Sequence, residues 1–197
     1  KNPKAYANVL VPKLASLADV FGADSQLRKS TAFDYWELQS LGRNQDTSQA
    51  HFDVPLIEAI RTALEELARS NPLGFISIVE SNEGSILLLD RLFALALSSN
   101  MPTLANTGFR FIEKYSDRLV LGDRHGDDQA DTLQLITALS PCLSVDENDK
   151  LVGIINKLND CVIDADDDVH QRRRIRRENR RMRARLLAKI DRTKLPS

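Results

Sequence analysis

The stretch that decides the fold is ILLLDRLFALAL, residues 86–97. Drawn as a helix, it is apolar on nearly every side, and a helix with that pattern is buried between other helices. Its longest uninterrupted apolar run, residues 92–97, is far shorter than the roughly 20 residues that a membrane-spanning helix needs. The stretch therefore predicts a central helix in a helical protein that does not enter a membrane.

Apolar residues recur at helical spacing along most of the chain. Asp53 can cap a helix that ends at Asn71-Pro72, and Ser144 with Glu147 has the spacing of a capping box. Six to nine helices follow from these patterns, with short breaks at Pro, Asn and Gly and no convincing alternating strand. The predicted fold class is all-α, an irregular repeat of helical hairpins resembling an α-solenoid, with a terminal Arg-rich amphipathic helix.

The apolar faces of these helices predict a hydrophobic core. Its thirteen predicted members are Leu56, Ile60, Leu64, Leu88, Leu92, Phe93, Leu95, Phe111, Ile112, Ile136, Leu139, Ile154 and Leu158.

Charge is segregated along the chain, although the formal net charge is only -1. Residues 169–197 contain twelve Lys and Arg against Glu178 and Asp191, a net charge of +10, whereas residues 1–168 carry fifteen basic and twenty-six acidic residues, a net charge of -11. We therefore divide the chain into a helical-repeat body, residues 1–168, and a basic helical segment, residues 169–197. Such a segment either binds an external polyanion or packs on the acidic body.

The basic segment contains the candidate binding residues. An apolar seam of Ile175, Met182, Leu186 and Ile190 recurs at helical spacing and predicts that the segment packs on the body, with part of its charge paired there. Aspartates precede it at positions 164 and 166–168, where negative charge favours a helix N-terminus. The candidates for binding a partner or a nucleic acid are Arg172, Arg173, Arg174, Arg176, Arg177, Arg180, Arg181, Arg183 and Arg185.

One loop has the residues of a metal site. Residues 120–128, VLGDRHGDD, resemble the first metal-binding motif of the calcineurin-like metallophosphoesterases, which implies Asp123 and His125 as ligands of one ion. The further motifs of that family are absent, and the other histidines are His51 and His170. Nucleotide-binding, α/β-hydrolase and zinc-protease motifs are absent as well. We therefore predict a non-enzymatic segment with no catalytic residue, metal or cofactor.

Cys142 and Cys161 lie nineteen residues apart with no metal-ligand spacing, so two buried, reduced thiols are predicted. No export signal is present, and a cytoplasmic location is expected. Because the chain begins at Lys1 and not at methionine, we expect a piece of a longer protein.

Three segments are similar to the C-terminal helical-repeat region of bacterial STAND-type antiviral (AVAST-like) NTPases. They are FRFIEKYSDRLVLG at residues 109–122, LQLITALSPCLSVDENDKLVGIINKL at residues 133–158, and RARLLAKIDRTKLPS at residues 183–197. The segments FDYWELQSLG and VPLIEAIRTALEELARSNP fit the same pattern. In that family a helical sensor array recognises a phage protein. The resemblance implies a piece of such a sensor, although the arginine-dense insert departs from the family pattern.

Two functions remain open from the sequence. The first is a non-enzymatic recognition or scaffold segment of a STAND sensor, whose partner is another protein, such as a phage protein, or the rest of its own longer chain. The alternative is a nucleic-acid-binding module that acts through the helix of residues 172–185. The two differ in where the arginine heads point: toward the carboxylates of the body, or outward as a positive surface.

Overall fold

The computed structural model describes residues 2–20, 55–82, 87–122, 129–158 and 168–194. Every regular element within these ranges is helical, so the all-α prediction is confirmed there. The α-helices are α1 (Pro3–Val20), α2 (Pro55–Ser70), α3 (Pro72–Ser81), α4 (Leu87–Ser98), α5 (Ala105–Lys114), α6 (Ala130–Leu139), α7 (Val145–Asn156) and α8 (Val169–Leu187). The 3-10 helices are η1 (Ser116–Val120), η2 (Ser140–Cys142) and η3 (Arg192–Lys194).

Helix α4 lies at the centre, as its composition predicts. All ten residues from position 88 to position 97 are buried, and α4 packs against α2, α5 and α6. Phe93 meets Phe75 of α3 edge to face, with ring centroids 6.4 Å apart. Contacts between helices run from α1 to α2, then to α4, α6 and α8. Helix α8 therefore joins the body through α6 and also contacts α7.

The helix ends follow the capping signals of the sequence. Helix α2 ends at Ser70, and the side chain of Asn71 then caps α3 by accepting a hydrogen bond from the Gly74 amide at 3.0 Å. The predicted capping box of α7 is also confirmed, with Ser144 and Glu147 bonded in both directions. These caps satisfy amide groups that the first turn of a helix leaves without a partner. The predicted cap Asp53 lies outside the described residues.

The predicted core is confirmed at eleven of its thirteen positions. The buried members are Ile60, Leu64, Leu88, Leu92, Phe93, Leu95, Phe111, Ile112, Ile136, Leu139 and Leu158. Ile154 is the exception, because α7 turns Leu151 and Ile155 inward and leaves Ile154 half-buried at the edge of that face. The side chain of Leu56 lies outside the described residues.

Within the described ranges, no helix is both long and apolar enough to cross a membrane.

Candidate polyanion-binding surface

Helix α8 contains all nine candidate arginines, and its N-terminus is fixed by Asp168. The carboxylate of Asp168 accepts a hydrogen bond from the Gln171 amide at 2.7 Å. A negative charge at this end also favours the helix dipole. The other aspartates of the predicted acidic run, Asp164, Asp166 and Asp167, lie outside the described residues.

The apolar seam of α8 faces the body. Met182, Leu186 and Ile190 are buried, and Ile175 is half-buried. Helix α8 ends at Leu187, so Ile190 belongs to the turn that follows the helix and still packs into the same core. The helix contacts α6 and α7. These contacts bury one side of α8 and leave the opposite side to solvent.

Within the described residues, hydrogen bonds at three positions of the basic segment join it to the body. Gln129 Nε2 donates to the Met182 carbonyl at 3.4 Å, and Arg183 Nη1 donates to the Asn156 carbonyl at 3.0 Å. Farther along, the Asp191 amide donates to Ser140 Oγ at 2.8 Å. The buried Ser140 hydroxyl in turn donates to Asn148 Oδ1 at 2.6 Å. Together with the seam, these bonds fix the rotation of α8 about its axis.

Six of the nine arginines lie on the exposed side of α8. We call this set the arginine strip; it consists of Arg173, Arg174, Arg176, Arg177, Arg180 and Arg181. The other three, Arg172, Arg183 and Arg185, are half-buried along its edges. At 1.5 Å per residue the strip extends about 12 Å along the helix axis, and at 100° per residue it covers an arc of about 160°. Six guanidinium groups, which stay charged at any ordinary pH, are thus concentrated on one surface.

Few carboxylates compensate this charge. Among the described residues the strip has one ion-pair partner, Glu178, which lies 3.2 Å from Arg181 on the same helix. Both side chains of that pair are largely exposed, so its contribution to stability is small. The predicted pairing with carboxylates of the body is not seen for the strip within the described residues. Arg183, at the edge of the strip, bonds to a backbone carbonyl of the body.

A second charged cluster is buried between α4, η1 and α6. Arg118 Nη2 lies 2.8 Å from Asp90 Oδ1, and Arg91 Nε lies 2.6 Å from Asp131 Oδ2. The Arg118 guanidinium also stacks on the Phe111 ring at 3.8 Å and donates to the Phe111 carbonyl at 2.8 Å. Two buried ion pairs of this kind join α4 to η1 and α6. This cluster was not predicted from the sequence, although charged residues inside an apolar helix indicate buried partners.

Two carboxylates in described turns have lowered pKa values. The pKa of Glu147 is lowered by hydrogen bonds from the backbone amide and the hydroxyl of Ser144. The pKa of Asp191 is lowered by hydrogen bonds from the hydroxyl and the amide of Thr193. Both groups accept bonds that close a turn, so the lowered pKa values reflect local structure.

Asp123 and His125, the two residues of the loop that resembles a metal-binding motif, lie outside the described residues. Within the described ranges, no group of three or more His, Cys, Asp or Glu side chains could hold a metal ion. Cys142 is half-buried with a free thiol, and Cys161 lies outside the described residues.

No family model, no curated protein and no solved structure matches the chain.

Proposed function

We propose that this chain is a non-enzymatic binding module and that its arginine strip binds the phosphate backbone of a nucleic acid. The observation that supports the proposal is the orientation of α8. Its buried seam and its hydrogen bonds lie on one side, and six exposed arginines lie on the other. Of the two functions left open by the sequence, an outward strip favours the nucleic-acid module.

The chemistry of arginine suits this ligand. A guanidinium group presents several N–H donors in one plane and can bind two phosphate oxygens at once. Each phosphate contact releases a condensed counterion, so clustered contacts produce strong and salt-dependent binding. If the strip served to pair with the body, carboxylates of the body would lie against its guanidinium groups. Among the described residues, the one carboxylate paired with the strip is Glu178, which belongs to α8 itself.

The attachment of α8 also supports a binding role. Met182 and Leu186 are almost fully buried, and Arg183 is anchored on the Asn156 carbonyl. The strip is therefore presented by a helix whose position is already fixed. A preformed surface loses less conformational entropy on binding than a flexible basic arm.

The test measures binding of the full chain to a fluorescently labelled 24-nucleotide DNA, as a single strand and as a duplex. Fluorescence anisotropy monitors the binding in 50 mM and in 200 mM salt. The strip variant replaces Arg173, Arg177 and Arg180 by Gln. A matched control replaces the exposed basic residues Arg69, Arg110 and Lys150 by Gln, which removes the same charge from the body.

The strip variant should bind DNA at least about tenfold more weakly at low salt. The slope of its log K against log salt concentration should be shallower by about 2 to 3. The control should retain most of the affinity. Equal losses in the two variants would mean that net charge alone governs binding and would refute the proposal for the strip.

A second candidate is the sensor region of a bacterial anti-phage STAND ATPase, which binds another protein. The observation that favours it is the all-helical body, in which α2, α4 and α6 pack in succession as they would in a helical repeat. The full-length sequence tests this candidate. A phosphate-binding loop of the form GxxxxGK[ST] upstream of residue 1 would support it, and an upstream region without a nucleotide-binding module would count against it.

A further inference from the structure

We propose that the ligand of the arginine strip is a double-helical nucleic acid, held through the phosphates of both strands. This inference rests on the nucleic-acid function proposed above and goes beyond it by choosing the duplex over the single strand. Three properties of α8 support the choice: its charge density, the angular spread of its arginines, and the absence of Phe, Tyr and Trp.

The charge density of the strip matches that of a duplex. Six guanidinium groups occupy about 12 Å of helix axis. Over the same length a duplex presents about seven phosphates and a single stacked strand about three or four. A duplex can therefore neutralise nearly every head of the strip. A single strand would leave several arginines facing one another without an anion.

The spread of the heads around α8 favours two backbones over one. Arg173, Arg177 and Arg180 lie along the centre of the exposed side, whereas Arg176 and Arg174 lie on opposite flanks, about 160° apart. The helix itself is about 10 to 12 Å wide, close to the width of about 12 Å of the major groove of B-DNA. Heads on the two flanks can thus reach phosphates on the two strands that border a groove.

Helix α8 itself provides no Phe, Tyr or Trp on which unpaired bases could stack. Helix α8 has the sequence VHQRRRIRRENRRMRARLL, which contains no Phe, Tyr or Trp. Proteins that bind single strands without sequence preference combine basic grooves with aromatic side chains, each of which contributes about 1 to 3 kcal/mol per stacked base. Helix α8 supplies six exposed charges and one exposed ring, that of His170, as expected of a surface that binds mainly the phosphate backbone.

The experiment compares the same 24-base-pair DNA duplex with each of its separated strands, using anisotropy with the full chain at four salt concentrations between 50 mM and 200 mM. The duplex should bind about tenfold more tightly at 50 mM salt, with a slope of log K against log salt of about -4 to -5, against about -2 for each strand. Circular dichroism of every variant verifies that the exposed substitutions leave the helices intact.

The informative variant replaces one residue on each flank, Arg174 and Arg176, by Gln. It should make the duplex slope shallower by about 2 and leave the single-strand slope nearly unchanged, since one strand can follow the centre of the strip. The matched control replaces Arg110 and Lys150 by Gln, and it should change neither slope.

The failures of the two proposals are distinguishable. Equal affinities and slopes for duplex and strands, or tighter binding of a strand, would overturn the duplex inference and leave the nucleic-acid function standing. Undetectable binding of both forms at 50 mM salt, or tighter binding of poly-glutamate than of either DNA, would overturn the nucleic-acid function and the duplex inference with it.

Discussion

The guanidinium of Arg118 lies 2.8 Å from the carboxylate of Asp90, and neither side chain is more than 2% exposed. The two residues are twenty-eight positions apart in the chain and join η1 to the central helix α4. Phe111 and Tyr115 flank the same guanidinium, at 3.8 and 4.6 Å from their ring centroids. A charge in this position is fully removed from water, so its partner determines whether the fold tolerates it.

Replacing Asp90 by Ala should lower the free energy of unfolding by about 3 to 5 kcal/mol, because it leaves the Arg118 charge buried without its carboxylate. Urea denaturation followed by circular dichroism measures the change. The matched control is Glu58→Ala, which breaks the exposed bond to Arg61 on α2 and should cost less than about 1 kcal/mol. A loss at Asp90 as small as that of the control would mean that water or another group replaces the carboxylate.

Replacing Leu92 by Ala should lower the free energy of unfolding by about 2 to 5 kcal/mol, through lost burial and the cavity that remains. Leu92 is fully buried in α4. Leu73→Ala is the matched control, since Leu73 is 80% exposed on α3 and its truncation should change stability by no more than about 0.5 kcal/mol. Thermal or urea unfolding measures both variants. Equal losses of stability in the two would contradict the assigned core.

Much of the fold could be predicted from apolar periodicity and from helix-capping residues in the sequence. The apolar pattern of residues 86–97 predicted the buried central helix, and Ser144 with Glu147 predicted the start of α7. These features are local, because the residues that decide them lie within one or two helical turns of one another. The wrong prediction at Ile154 is equally local, because the residue that α7 buries is its immediate neighbour, Ile155.

The features that the sequence did not reveal depend on residues far apart in the chain. Arg91 and Asp131 pair across forty positions, and no local pattern identifies one as the partner of the other. The attachment of α8 uses the backbone carbonyls of Met182 and Asn156, which every residue type possesses. The sequence could predict a strip of arginines opposite an apolar seam. It could not predict how few described carboxylates would face that strip.

Removal of α8 should destabilise the body. A chain truncated after Asp168 loses Met182, Leu186 and Ile190 from the core, so it exposes apolar surface of α6 and α7 and should melt at a lower temperature. Differential scanning calorimetry measures the shift.

The comparison for this truncation is the full-length chain with Gln at Arg173, Arg177 and Arg180. That variant keeps the seam and relieves repulsion between like charges, so its melting temperature should be unchanged or slightly higher. A truncated chain that melts at the original temperature would show that α8 contributes nothing to the core.

The capping box of α7 should make stability depend on pH in a defined direction. Hydrogen bonds from the amide and hydroxyl of Ser144 lower the pKa of Glu147 in the folded chain. Because the folded pKa lies below the unfolded value, the stabilisation is complete above the unfolded pKa and is lost as the pH falls through the folded pKa. Ser144→Ala should therefore raise the pKa of Glu147 and cost about 1 kcal/mol at pH 7.

The cost of Ser144→Ala should shrink at pH 3, because acid weakens the same charged bonds in the unaltered chain. NMR titration of the Glu147 carboxyl carbon and urea denaturation at both pH values provide the measurements. Thr137→Ala is the control, since it removes an exposed helix hydroxyl that bonds to the Leu133 carbonyl and no carboxylate. Its effect should be the same at both pH values. An equal cost of Ser144→Ala at pH 7 and pH 3 would mean that the neutral bond from the Glu147 amide to Ser144 Oγ provides the whole contribution of the serine.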